Sequence, residues 1–225
     1  MHVADPSWNW EDIAALAATA AIGGSALAIA AQLAVALGAG APGGLDSPPA
    51  YLATTVFYLL LIAAVGHWIA RRTGWAALGV RAAAGRWYLA LLPLLLLSLG
   101  LPAFVAGMLG SAADSAQLML ISGGEPLTFG RVLMLLPLVG LLVPCAEELV
   151  FRGVLQPLVG RHLGRAAIPL VALLFAVMHP IVAIMPALAL LGLCCGMLRA
   201  ASGSIVPGVV LHAAQNSLVL FLFLY

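Results

Sequence analysis

The sequence predicts an all-α, polytopic transmembrane bundle of about seven helices, in a single domain covering residues 1–225. Three observations carry that expectation. Apolar residues make up 64% of the chain and charged residues 8%, against roughly 45–50% and about 25% in soluble domains. The apolar residues fall in long unbroken runs of Ala, Leu and Val, whereas a transmembrane barrel needs short alternating segments. At about 20 residues per span, the chain has room for several helices and none for a separate soluble domain.

The first span is expected over about 13–37. It follows an acidic stretch, Met1 to Asp12, which lacks the basic region of a cleaved signal peptide. Gly/Pro-rich residues Gly38 to Pro49 separate it from a second span over 51–70. Arg71, Arg72, Arg81 and Arg86 then cluster before a third span over 87–109, with Trp75, Trp87 and Tyr88 at that boundary as interface aromatics. Turn chemistry returns in Ser111 to Thr128, which holds Asp114, Gly123, Gly124, Glu125 and Pro126, and a fourth span follows over 130–151. Two short spans, 166–182 and 185–199, flank His179-Pro180 to Pro186. They read as broken or re-entrant helices near 180–186, tolerated where backbone lines a cavity. The seventh span covers 204–224.

Charge then orients the bundle. If the Arg cluster after span two is cytoplasmic, alternation also places Arg152, Arg161, Arg165 and Arg199 inside, so only Arg131 of the nine Arg lies outside. A cytoplasmic N-terminus and an external C-terminus follow. The net charge of +1 and the lack of a basic stripe argue against a nucleic-acid partner. All nine basic residues are Arg, with no Lys, which fits a GC-rich genome and, with the small size, a bacterial inner membrane. Cys145, Cys194 and Cys195 all fall in apolar runs and read as reduced, packed thiols.

Against this background Glu147 and Glu148 are conspicuous. An ionisable group within a span costs roughly 2.5–3.5 kcal/mol on insertion scales, so two adjacent ones call for a reason. Glu148 and Arg152 share a helix face at i,i+4, which on its own is explained by a buried ion pair. Glu147 points about 100° away and has no sequence-local partner. A carboxylate drawn away from bulk water is suited to taking a proton from a water molecule. Phe175 stands one turn before His179, and His212 one turn before Asn216, so each imidazole has a companion on its own face. Two donors in one patch, His212 and Asn216, suit a developing oxyanion.

Two His with one or two Glu could also form an open metal site, such as zinc held by Glu147, His179 and His212. The helical His-Glu-x-x-His pattern of zinc peptidases is missing. Cys145 has no neighbouring His or cation to make it a thiolate nucleophile. A different class of function, a proton-coupled transporter or channel using the same Glu, His and Arg as a relay, predicts these groups strung across the membrane. A peptidase predicts them converging at one depth.

The set Glu147-Glu148-x-x-x-Arg152, Phe175-x-x-x-His179 and His212-x-x-x-Asn216, with Gly203 to Gly208 leading into His212, resembles the motif series of the CAAX-processing and bacteriocin-processing family of intramembrane proteases, which includes the CAAX prenyl endopeptidases. The resemblance covers about residues 130–220 and implies a membrane-embedded endopeptidase acting on a membrane-associated protein or peptide. It further implies Glu147 as the base that activates water and His179 as the residue sharing that water. Glu148 and Arg152 would support the site, and His212 and Asn216 would stabilise the oxyanion. Both metal-dependent and metal-free mechanisms are compatible with it, and a non-proteolytic scaffold built on the same family remains an alternative. The first 125 residues carry no motif of this kind.

Overall fold

The computed structural model describes residues 8–37, 44–109, 121–122, 127–179, 182–222 and 224. Of the expected connections, Gly38 to Gly43, Asp114, Gly123 to Pro126 and Pro180 to Ile181 lie outside the described residues. Among those described, seven helical segments account for the fold, which is the all-α membrane bundle the composition demands.

Helix α1 (Trp10–Ala36) starts at a capping box in which the Asn9 side chain accepts from the Asp12 N–H and Asp12 accepts from the Asn9 N–H. Helix α2 (Pro48–Val65) has its prolines in the first turn, where the missing N–H costs nothing, and runs on through a π-helical step, Gly66–Ala70, to Thr73. Helix α3 (Leu91–Leu109) is preceded by a single turn, Arg86–Leu89.

The fourth helix, α4, spans 129–163 and is broken into five stretches. Ordinary helix at Phe129–Leu135, Val143–Glu148 and Gln156–Leu163 alternates with π-helix at Leu136–Leu142 and Leu149–Leu155. Helices α5 (Ala167–Val177), α6 (Met185–Ser202) and α7 (Val206–Leu222) complete the bundle. Among the described residues four runs are long and apolar enough to cross a membrane: Trp10–Ala36, Pro48–Thr73, Phe129–Val177 and Met185–Ser202. Arg86–Leu101 and Val206–Leu222 are apolar but shorter.

The third of those runs holds 49 residues. Straight, it would reach about 70 Å at 1.5 Å per residue, more than twice the hydrocarbon core of a bilayer. Gly164, at a left-handed φ of 54°, turns the chain back, so that Val159 of α4 packs against Ala167 and Val171 of α5. Here the structure differs from the sequence reading, which ended the fourth span at residue 151. Arg152 looks like a stop signal, but its charge is met inside the bundle and the helix continues to Leu163.

Polar contacts identify the two ends. At one end Ile205 donates to the Gly79 carbonyl at 2.9 Å, Arg81 to Gly203 at 2.9 Å, and Ser204 to Arg81. The Trp8 indole donates to Val154 at 3.0 Å at this same end, and Asp12 pairs with Arg72. At the other end Arg131 pairs with Asp46, and Leu224 meets Leu127 in an isolated bridge. The N-terminal residues described and the Arg-rich connection therefore share one end of the bundle, and the end of α7 lies at the opposite one.

Candidate active site

The π-helical steps in α4 coincide with its prolines. In the first π-helical stretch the Val143 N–H reaches back five residues to the Leu138 carbonyl. The next carbonyl, that of Val139, would in the same register take the N–H of residue 144, which is Pro144 and has none. Asn216 of α7 fills the gap, donating from Nδ2 to the Val139 carbonyl at 3.0 Å. The pattern repeats one segment later. The Gln156 N–H reaches back to Phe151, the Arg152 carbonyl faces Pro157, and Arg199 Nε of α6 donates to it at 3.2 Å. Two proline breaks are thus closed by side chains from the helices packed against them, and Glu147 and Glu148 sit on the single short helical stretch between the two π-helical steps.

The two glutamates have different surroundings. Glu148 is fully buried, with Oε1 2.9 Å from Arg152 Nη1 and 3.2 Å from His212 Nδ1. The Arg152 contact is close enough for an ion pair although it lies off the hydrogen-bond direction. Among the described residues Glu148 Oε2 has no hydrogen-bond partner; it lies against Gly208, where an added Cβ would sit 3.0 Å from it. Glu147 is partly buried. Its Oε1 accepts from the Tyr58 hydroxyl at 2.8 Å, and its Oε2 lies 3.8 Å from His212 Nε2.

Arg152 is held from three sides. Its Nη2 donates to the Gly192 carbonyl at 3.1 Å, and its guanidinium lies 4.6 Å from the Phe175 ring centre and 5.8 Å from that of Phe151. One turn along, Gln156 donates to the Gly196 carbonyl at 3.0 Å. Gly192 and Gly196 let α6 come this close: a Cβ on Gly192 would lie 3.0 Å from the Ala172 Cα, and one on Gly196 2.9 Å from Ile168.

Phe175 is the hub. Both imidazoles pack on its ring, His179 at 5.0 Å and His212 at 5.6 Å between centroids. His179 follows directly on the short helix α5, which ends at Val177, and so lies in the same locality. Its Nδ1 lies 2.9 Å from the Phe175 carbonyl. A carbonyl only accepts, so Nδ1 carries the proton and Nε2 is left as an acceptor in the neutral ring. By the same logic His212 Nδ1–H donates to Glu148 Oε1 at 3.2 Å.

The sequence-derived residues form one line of contacts, Arg152 to Glu148, Glu148 to His212 and His212 to Glu147, and His179 joins them through Phe175. Asn216 shares its helix with His212, and one of its two amide hydrogens serves the Val139 carbonyl. Sequence reasoning missed Tyr58, Gln156, Gly192, Gly196 and Arg199. The glycines four residues apart were a legible small-residue signal, and a tyrosine in mid-span was another.

Of the residues a metal site would draw on, Glu147 and His212 approach each other, while among the described residues no group of three His, Cys, Asp or Glu is disposed to hold an ion. Residues 129–218 match the family model described as type II CAAX prenyl endopeptidase Rce1-like. No curated protein and no solved structure matches the chain.

Proposed function

We propose that this integral membrane protein, whose residues 129–218 match the Rce1-like family model of type II CAAX prenyl endopeptidases, hydrolyses a peptide bond with a water activated by Glu147. The observation that carries the reading is the unequal treatment of the two carboxylates. Glu148 is compensated by Arg152 and hydrogen-bonded by His212, which makes it a support. Among the described residues Glu147 has no guanidinium against it: the neutral Tyr58 hydroxyl donates to Oε1 and the His212 imidazole stands 3.8 Å from Oε2, so the carboxylate can take a proton.

The steps follow from the donors present. Glu147 takes a proton from the attacking water, and His179 Nε2 accepts a second hydrogen bond that orients it. The resulting hydroxide adds to the carbonyl carbon, and negative charge develops on the carbonyl oxygen. In its protonated form His212 can offer Nε2–H to that oxygen while Nδ1–H stays with Glu148, and the uncommitted amide hydrogen of Asn216 is a second donor. Glu147 then returns its proton to the leaving amine. No acyl-enzyme forms. Glu147, His179 and His212 do not make a gathered ligand set in this structure, so no step is routed through a metal.

The substrate in this reading is a membrane-associated peptide or protein, with a prenylated Cys-aliphatic-aliphatic-X tail the first to try. The convergence of Glu147, Glu148, Arg152 and His212 at one place supports hydrolysis over a proton relay, which needs spaced groups. The Arg-rich end is assigned to the cytoplasm on the positive-inside rule, in a bacterial inner membrane. The test is Glu147→Ala in the purified chain reconstituted into vesicles. Cleavage of a farnesylated CAAX peptide is expected to fall by at least about a hundredfold with the thermal midpoint little changed. Normal turnover would remove Glu147 from the mechanism.

A further inference from the structure

Resting on that reading of Glu147, we infer that Tyr58 is a positioning residue for the reaction: its hydroxyl clamps one oxygen of the Glu147 carboxylate and so aims the other at the cleavage site. Tyr58 stands in the middle of α2, in the part of the chain that the family match does not cover. Membrane tyrosines gather at the interfaces, where the hydroxyl stays wet. One in mid-span must find its partner within the protein. That partner is Glu147 Oε1, at 2.8 Å.

The geometry leaves the carboxylate little freedom. With Oε1 tied to α2, Oε2 is the oxygen that faces His212 Nε2 at 3.8 Å. The Tyr58 ring is itself set by Phe57, edge-on with centroids 5.2 Å apart at 77°. Phe57 in turn fills the space over Gly24 of α1, where an added Cβ would lie 3.1 Å from the ring. A path of contacts thus runs from α1 through Phe57 and Tyr58 to the base.

The type of donor also suits the role. An arginine here would orient Glu147 but would compensate its charge, as Arg152 does for Glu148. A phenol is neutral, so it orients the carboxylate and leaves it anionic. The rival account is that Tyr58 only disposes of its own hydroxyl on a convenient acceptor. That account predicts no kinetic effect when the hydroxyl is removed.

The test compares wild type, Tyr58→Phe and Glu147→Ala as full chains in vesicles, with a quenched fluorescent farnesylated CAAX peptide as the probe. The expected result for Tyr58→Phe is a kcat lower by about tenfold to a hundredfold, the scale of a misplaced catalytic group, with KM within about twofold. An unchanged kcat, or a raised KM with kcat kept, overturns the inference. A second measurement needs no substrate: thermal midpoints of Tyr58→Phe, Glu147→Ala and the double variant in detergent. Directly interacting groups give non-additive shifts, and additive shifts overturn the clamp. If the wild type leaves the peptide intact, the proteolytic reading fails for that substrate class, and the unfolding cycle alone decides whether Tyr58 holds Glu147.

Discussion

Helix α1 and the 129–177 run are almost equally apolar, with mean hydropathies of 1.9 and 2.0, yet 6% of the first membrane window is buried and 33% of the second. Hydropathy places both in a bilayer and says nothing about which faces lipid. Inside a membrane, lipid tails and leucine are alike, so burial is decided by small residues that admit close approach and by polar groups that need partners. Helix α1 keeps its acids at its first turn and presents Ile22, Ile29 and Leu33 outward. The 129–177 run carries Glu147, Glu148, Arg152 and Gln156 in its interior, and every neighbouring helix is drawn in to meet them.

The largest expected effect breaks that contrast at its charged centre. Arg152→Met leaves Glu148 buried beside a single imidazole, and removing one partner of a buried ion pair costs about 3–5 kcal/mol. The variant is expected to accumulate poorly and to melt well below wild type in detergent. Glu148→Gln combined with Arg152→Met removes both charges and should melt higher than Arg152→Met alone. A single variant as stable as wild type would show that the pair adds nothing to the bundle.

A smaller effect is expected where proline breaks the backbone. Asn216→Ala strips the Val139 carbonyl of its donor, and hydrogen bonds between membrane helices average about 0.6 kcal/mol, reaching about 1.7. Pro144→Ala restores a backbone N–H at the position five residues on. The loss from Asn216→Ala should therefore shrink in the Pro144→Ala background, read as a thermal-midpoint cycle. Equal losses in both backgrounds would mean that Asn216 does not serve the broken helix.

These cases also mark what the sequence could tell. The helical class was plain from composition, and Glu148 with Arg152 was readable as an i,i+4 pair. The three motif segments were visible, and the bundle brings Glu147, Glu148, Arg152, Phe175, His179 and His212 around one centre. Other features depend on register or on contacts far apart in the chain. Pro144 and Pro157 are plain in the sequence, but the carbonyls they leave open are known only once the helix steps by five. Tyr58 is 89 positions from Glu147, and nothing local to either residue points to the other. The end of the fourth helix was misread because Arg152 looks like a boundary until its buried partners are seen.

The smallest effects belong to α1, and they sharpen the comparison by dividing that helix in two. Ile22 is 73% exposed and Ile29 57%, so Ile22→Ala and Ile29→Ala exchange lipid-facing surface for lipid-facing surface. Each should shift stability by less than about 0.5 kcal/mol and leave kcat untouched. Gly24 is different, because it faces Phe57. Gly24→Ala forces the Phe57 ring to give by a few tenths of an ångström, and Tyr58 packs on that ring. Its kcat should fall by less than that of Tyr58→Phe while its thermal midpoint stays near wild type. If all three α1 variants behave alike, α1 is a passive lipid-facing helix; if Gly24→Ala alone moves kcat, the peripheral helix reaches the catalytic base through two aromatic rings.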